Sequence, residues 1–332
     1  MTMTDRSNLE KAAEFIRTHD DFLLLTHERP DGDAIGSIFG LLNFFRDNGK
    51  CAEAVLPDEL PEKYLSFLPS NYRTDISSVE VAMHQCCIIL DTPNQFRIGI
   101  GNAAKAEQIG IPVILLDHHP DNAKYGTINV VKPEVSSTAE LLFMLSKELP
   151  QWRVSPEVAT LWLLGMIMDT GGFRFDNTSP ATLRNAADLI ELKADHHRIM
   201  LELLFSKPLA LLQFEAELFN SHLHREFGGR FAWIYIPEAL IRKYRIEMRD
   251  TEGLIEILRS IRNADIVALV QGNGDGFKVS LRSKDSRYSV GWVAREINGG
   301  GHEMAAGGKI KNANFDAAMK TLSDLVGKVL HS

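Results

Sequence analysis

Cysteine is scarce: the chain has three in 332 residues, and two of them, Cys86 and Cys87, are adjacent. That set cannot build a disulfide framework, and a chain of this length buries a core without one. A reducing, cytoplasmic setting is expected. Long apolar runs are missing as well: none approaches the ~20 residues that cross a bilayer, and the start is polar, with Asp5, Arg6, Glu10 and Lys11. Neither secretion nor membrane spanning is expected. There is no internal repeat and no low-complexity segment. Tryptophan is limited to Trp152, Trp162, Trp233 and Trp292, none interleaved with basic residues as along a single-strand track, so all four are assigned to the core.

What remains is an ordinary globular composition, 45% hydrophobic and 24% charged, at about twice the usual length of one domain. Two domains are expected. The net charge of −8 is uneven: residues 1–225 hold 20 basic against 31 acidic residues, and residues 226–332 hold 16 against 13. An acidic module that holds cations beside a basic one that holds a polyanion produces such a split, as do two unrelated solvated surfaces.

The front half alternates apolar runs with helical patterns. Phe22–Leu25, Ile88–Leu90 and Val113–Leu116 read as strands; 34–45, 103–108, 137–148, 156–168 and 180–193 read as helices. That alternation predicts βαβ units around a buried, mostly parallel sheet. A polar, amphipathic stretch at 195–226 reads as connecting helices. The back part restarts with the strand Phe231–Ile236, closed by Pro237, and Ile266–Val270 joins Phe277–Arg282 through a Gly-rich hairpin; a last helix is expected over Phe315–Val329. The expected domains are therefore 1–194, a helical connector at 195–226, and 227–332, with an α/β fold in which the larger N-terminal domain is followed by a smaller α/β C-terminal domain.

Each front-half run delivers acids or histidines just past its C-terminal end: His27, Asp31 and Asp33 after the first, Asp91 after the second, Asp117, His118 and His119 after the third. In an open parallel sheet that edge binds ligands. Asp169 closes the apolar helix that follows. Singly, each has a plainer reading: Asp33 could cap the helix beginning at Ala34, Asp91 could open a turn before Pro93, and a loop His pair is usually a surface feature. Together, carboxylates converging from four such sites repel one another, and bound cations resolve the repulsion. Oxygen-rich ligands with one or two imidazoles and no cysteine favour Mn²⁺ or Mg²⁺ over a structural zinc. Two such ions are the usual machinery of phosphoester hydrolysis. The Gly299-Gly300-Gly301-His302 segment could cradle a phosphate on its backbone, although three glycines alone more often make a turn. Ser136-Ser137-Thr138 reads as a helix N-cap ahead of Glu140, although a hydroxyl there facing the cleft could also meet substrate, and Arg97 either pairs with a carboxylate or reaches a substrate phosphate. Asp195-His196-His197 repeats an acid–His–His triplet but follows a polar helical stretch and is set aside.

The motifs His27-x-x-Pro30-Asp31-Gly32-Asp33-Ala34-x-Gly36-Ser37, Asp91 with Arg97, Asp117-His118-His119, Asp169-Thr170-Gly171-x-Phe173 and Gly299-Gly300-Gly301-His302-x-x-Ala305-Ala306-Gly307 occur in this order over nearly the whole chain. They resemble the DHH-family phosphoesterases with a DHH-associated C-terminal domain, most closely the nanoRNase group, which also dephosphorylates 3′-phosphoadenosine 5′-phosphate. The resemblance implies two Mn²⁺ per active site, with Mg²⁺ or Co²⁺ as substitutes, in a cleft between the domains. It implies that His27, Asp31 and Asp91 hold one ion and that Asp33, Asp91, His118 and Asp169 hold the other. Asp117 would orient a histidine, and His119 would contact the phosphate or assist the leaving oxygen. Arg97, Arg282, Ser283, Gly300, Gly301 and His302 would bind substrate.

The implied partners are short single-stranded RNA or DNA oligonucleotides and a nucleoside bisphosphate, with no membrane partner and a homodimer left open. Three other activities compete: a phosphodiesterase for linear dinucleotides, a RecJ-like single-strand exonuclease, and a nucleotide-sensing binding protein without turnover.

Overall fold

The computed structural model describes residues 3–68, 72–74, 81–98, 110–251, 253–274, 276–311 and 313–331; the helical stretch expected at 103–108 lies outside them. The chain divides into two compact units, Met1–Ser206 and Lys207–Ser332, so the division falls inside the segment read as a connector.

In the first unit the principal elements are α1 (Met3–Thr18), β1 (Phe22–Leu25), α2 (Gly32–Asp47), β2 (Ala52–Val55), β3 (Cys86–Leu90), β4 (Val113–Asp117), β5 (Ile128–Val131), α3 (Thr138–Lys147), α4 (Pro156–Asp169), α5 (Pro180–Glu191) and α6 (His196–Ile199), continued by a π-helical turn at Met200–Leu204. The strands form one sheet in the order β2-β1-β3-β4-β5, every pair parallel. Every residue of β1, β3 and β4 is buried, which is why these strands read as unbroken apolar runs. The edge strands β2 and β5 are half-buried and four residues long, and their hydrophobic signal was too weak to mark them in the sequence.

Helices α2 and α4 pack closely antiparallel because α2 presents glycines to α4. A Cβ on Gly36 would lie 2.4 Å from the Leu161 carbonyl oxygen, and one on Gly40 2.4 Å from the Trp162 ring. On the facing helix, a Cβ on Gly165 would lie 2.5 Å from the Ala139 Cβ and 2.8 Å from an Asp33 carboxylate oxygen. Side chains here would push the helices apart, so the glycines bring the first turn of α2 to the last turn of α4. Behind this contact Phe39, Phe44, Trp162 and Leu164 fill the core beneath the sheet.

The second unit runs α7 (Leu209–Ser221), β6 (Leu223–Glu226), β7 (Phe231–Ile236), α8 (Glu238–Tyr244), α9 (Leu254–Arg259), β8 (Ile266–Asn273), β9 (Gly276–Ser283), α10 (Val290–Glu296), β10 (Gly300–Gly301), β11 (Ala305–Lys311) and α11 (Phe315–His331). Its sheet has the order β10-β11-β9-β8-β7-β6, with only β7 and β8 parallel. The expected hairpin is β8–β9, in which Asn273 pairs with Gly276. Val290, Val293, Leu322 and Val326 cover one face of this sheet. Phe214, Leu218, Leu254 and Leu258 cover the other over β7 and β8. Strand β6 arises inside the segment read as helical, pairing with β7 from Leu223 to Glu226. Among the described residues no helix is long and apolar enough to cross a membrane.

Candidate metal centre

The loops that leave β1, β3 and α4 all pass through left-handed backbone: φ is 53° at Arg29, 54° at Asp91, 58° at Gly171, 74° at Gly172 and 63° at Phe173. For a residue with a Cβ this conformation costs on the order of 1–3 kcal/mol and persists only where neighbours enforce it. Here they do. The Arg29 N–H donates to Asp58 Oδ2 at 2.6 Å, Asp91 N–H to the Leu116 carbonyl at 3.0 Å, and Phe173 N–H to Thr170 Oγ1 at 2.9 Å.

Asp31, and not Asp33, caps α2: its Oδ1 accepts from the Asp33 and Ala34 N–H groups. Asp33 is turned inward and buried. Its oxygens accept from Thr138 N–H at 2.7 Å and Ala139 N–H at 2.9 Å, so it sits at the positive N-terminus of α3, residues 105 and 106 positions away. Ser137 caps α3 by accepting from Glu140 N–H, as expected. The neighbouring Thr138 hydroxyl donates to Asp91 Oδ1 at 3.1 Å, which occupies a group that could otherwise have met substrate. Asp117 is saturated with donors: Oδ1 accepts from both His118 and His119 N–H groups and from His119 Nδ1 at 2.8 Å, and Oδ2 accepts from Asn122 Nδ2. It therefore positions His119.

Among the described residues, ligand-type atoms gather in three groups, each with its atoms within 4.8 Å of one another: His27, Asp31 and Asp91; Asp33, His118 and Asp169; and Asp91, Asp117, His118 and His119. The His27 Nδ1 lies 2.8 Å from the Glu28 carbonyl, to which its proton is donated, so Nε2 presents a lone pair to Asp91 Oδ2 at 3.6 Å. His118 Nε2 stands 3.6 Å from Asp169 Oδ2, 3.7 Å from Asp91 Oδ1 and 4.0 Å from Asp33 Oδ2. These gaps are too long for hydrogen bonds. Atoms bound at ~2.1 Å to one octahedral ion stand about 3.0 Å apart when adjacent and about 4.2 Å when opposite, and the gaps fall inside that window. The donor set, carboxylates with one imidazole in each of the two triads, fits Mn²⁺ or Mg²⁺.

Electrostatics point the same way. Burial, then the charges of Asp91, Asp169 and Asp31, hold the Asp33 carboxyl well above the usual carboxylate range. Burial, then Asp91 and Asp31, does the same to Asp169. For Asp91 burial is opposed and outweighed by the neighbouring imidazoles of His27, His118 and His119, which hold it low. Burial would lower the His27 imidazole, but Asp91 and Asp31 outweigh it and raise it. At His119 burial is likewise overcome, first by the Asp117 hydrogen bond, and the imidazole is pushed up to about 9. Anions that protonate to escape one another are what a divalent cation would neutralise.

The remaining expected site residues fall into two sets. Arg97 is exposed on a short 3₁₀ turn, with Nη2 3.5 Å from His27 Nδ1 and no carboxylate partner among the described residues. In the second unit Arg282 is held by Glu256, Nε to Oε1 at 3.0 Å, a partner that nothing in the sequence signals. Ser283 departs from expectation: it is fully buried, and its hydroxyl donates to the Asp285 carbonyl, so its side chain serves the turn after β9. Gly300 and Gly301 form the exposed strand β10, and His302 N–H closes a tight turn on Ala305. Gly301 has φ 131° and no room for a Cβ, whereas Gly300 faces open space. Sequence reasoning placed Thr138 in the capping segment without its tie to Asp91, and missed Asn122 and Asn177, because these contacts join groups distant in the chain or run through a loop without periodicity.

Residues 21–166 match the DHH family, N-terminal domain, and residues 231–328 match the DHHA1 domain. The bifunctional oligoribonuclease and PAP phosphatase NrnA of Bacillus subtilis is 30% identical over 317 residues, covering 94% of this chain and 96% of the relative. The protein of the same name from Thermus thermophilus is 29% identical over 314 residues, covering 92% and 89%. Among solved structures, an exopolyphosphatase-related protein from Bacteroides fragilis matches with a TM-score of 0.87 at 23% identity, covering 97% of this chain and 96% of that one. RecJ from Thermus thermophilus in complex with Mn²⁺ matches with a TM-score of 0.57 at 15% identity, covering 97% of this chain and 55% of RecJ.

Proposed function

The chain belongs to the DHH family, with a DHHA1 domain behind the DHH domain, and on that premise we propose that this hydrolase of ester bonds acts on short oligoribonucleotides, releasing nucleoside monophosphates, and on 3′-phosphoadenosine 5′-phosphate, releasing phosphate. The observation that carries the reading is the pair of triads, His27–Asp31–Asp91 and Asp33–His118–Asp169, with Asp91 directed at both.

His27, Asp31 and Asp91 would hold one divalent cation, and Asp33, His118, Asp169 and Asp91 a second. Two such ions supply an activated water and neutralise charge on the phosphoryl oxygens. Asp91 is fixed for both by its left-handed backbone and by the Thr138 hydroxyl. Asp117, itself held by Asn122, keeps the His119 proton on Nδ1 and raises the imidazole so that it is protonated at neutral pH, ready to donate to a departing oxygen. Arg97, exposed beside His27, would pair with a substrate phosphate. In the second unit Arg282, Gly300, Gly301 and His302 would hold the distal phosphate and nucleoside.

The test is a substrate panel on chelator-stripped protein restored with Mn²⁺: an RNA dinucleotide, 3′-phosphoadenosine 5′-phosphate and a single strand of about 20 nucleotides. Mononucleotide release from the dinucleotide and phosphate release from the bisphosphate are expected, faster than digestion of the long strand. Asp91→Asn should lose activity on every substrate by several orders of magnitude. Full activity in excess chelator, or faster processive digestion of the long strand, would overturn the reading.

A further inference from the structure

Asp169 is the most exposed carboxylate of the Asp33–His118–Asp169 triad, with 29% of its side chain accessible against 1% for Asp33. It ends α4, where the helix gives way to the left-handed run Gly171, Gly172, Phe173. A carboxylate at a helix end ordinarily samples several rotamers, yet this one faces His118 Nε2 at 3.6 Å.

Asn177 supplies the constraint. Its Nδ2 donates to the Asp169 carbonyl at 3.2 Å, to Asp169 Oδ2 at 3.4 Å and to the Ser136 carbonyl at 3.1 Å. All three partners are acceptors, so the amide has only one sensible orientation: turned over, its oxygen would face three oxygens. In that orientation the Asn177 Oδ1 is buried and without a partner among the described residues. The Ser136 carbonyl lies two residues before Thr138, whose N–H holds Asp33 and whose hydroxyl holds Asp91. One amide therefore ties the Asp169 carboxylate to the segment that orients the other two carboxylates around His118.

We propose that Asn177 is a positioning residue that fixes the Asp169 rotamer and thereby sets the affinity of one of the two divalent-cation sites, the one built from Asp33, His118 and Asp169. The proposal rests on the two-ion reading above. Outer partners of this kind typically change ion affinity 10- to 100-fold when removed.

The experiment is calorimetric titration of Mn²⁺ into chelator-stripped wild type, Asn177→Ala, Asn177→Ser and Thr178→Val, with folding checked by circular dichroism. Wild type should bind two ions. Asn177→Ala and Asn177→Ser should keep one affinity within about twofold and lose about 10- to 100-fold at the other, and turnover should recover as Mn²⁺ is raised. Thr178 neighbours Asn177 and also has a buried hydroxyl without a partner among the described residues, so Thr178→Val probes the loop without the clamp and should leave both affinities unchanged. Should the alanine variant not fold, the serine variant decides. Two wild-type affinities in a folded Asn177 variant would overturn the proposal, as would an equal loss in Thr178→Val. A wild type that binds no Mn²⁺ would overturn the two-ion reading itself and the proposal with it.

Discussion

His119 carries its proton into the neutral range because Asp117 accepts from Nδ1 at 2.8 Å, and the imidazole is pushed up to about 9 despite burial. A raised imidazole pKa has a definite sign. The protonated form, and the stability it contributes, is fully present below the unfolded value of ~6.5 and is lost as pH climbs through about 9. If His119 donates the proton to the leaving oxygen, kcat should fall on the alkaline side, at a pH held above the ordinary imidazole value by the Asp117 hydrogen bond. Asp117→Asn should move the alkaline limb of the kcat–pH profile down toward ~6.5, the ordinary imidazole value, and lower the plateau. A limb that stays in place would assign it to another group.

At the scale of elements, the close approach of α2 to α4 decides whether Asp33 and Asp169 share a site. Gly36 is the most sensitive contact, since a Cβ there would stand 2.4 Å from the Leu161 carbonyl oxygen and 2.8 Å from the Gly165 nitrogen. Both are backbone atoms, which cannot rotate away, so the helices must separate. Gly36→Ala should therefore cost about 1–3 kcal/mol by urea unfolding, as overpacked cores do. Because the separation acts on the two ends that carry Asp33 and Asp169, Mn²⁺ affinity should fall with it. Unchanged stability would mean that the helices adjust at no cost and that the glycine is incidental.

For the molecule as a whole, ion binding and folding are linked through Asp33 and Asp169. Both carboxyls are held well above their ordinary value of 3.8, so the folded protein without ions retains protons that the unfolded chain releases. Stability must then decrease as pH rises above that value toward the folded pKa values. In chelator, Tm should accordingly decline over that window. With Mn²⁺ at about 100 times its Kd the protein should gain about 2.7 kcal/mol for each ion bound, and binding should release protons, seen as a buffer-dependent heat. A Tm indifferent to Mn²⁺ at every pH would remove the linkage. Substrate grip is tested in the second unit: Arg282→Ala should reduce kcat/KM for a dinucleotide by about 2–4 kcal/mol while leaving a small generic phosphodiester nearly unchanged. An equal loss on both would assign Arg282, paired as it is with Glu256, to the folding of that unit.

Much of this was legible in the chain. The three central strands are buried on both faces, so β1, β3 and β4 could be read as apolar runs, and the acids and histidines at their ends followed from the parallel topology. The half-buried edges β2 and β5, and β6 inside a helical-looking stretch, could not, because a short strand takes its identity from the neighbour it pairs with. Nor could local pattern decide which aspartate caps α2, that Asp33 turns instead to the N–H groups of Thr138 and Ala139, or that Ser283 faces inward. The amino-acid order by itself determined which chemical groups exist and at which sheet edge they emerge, since burial periodicity and residue type are local properties. Only the tertiary structure decided which of those groups are occupied by hydrogen bonds and which keep lone pairs facing one another, because that depends on partners such as Thr138, Asn122 and Asn177 that packing brings in from elsewhere in the chain.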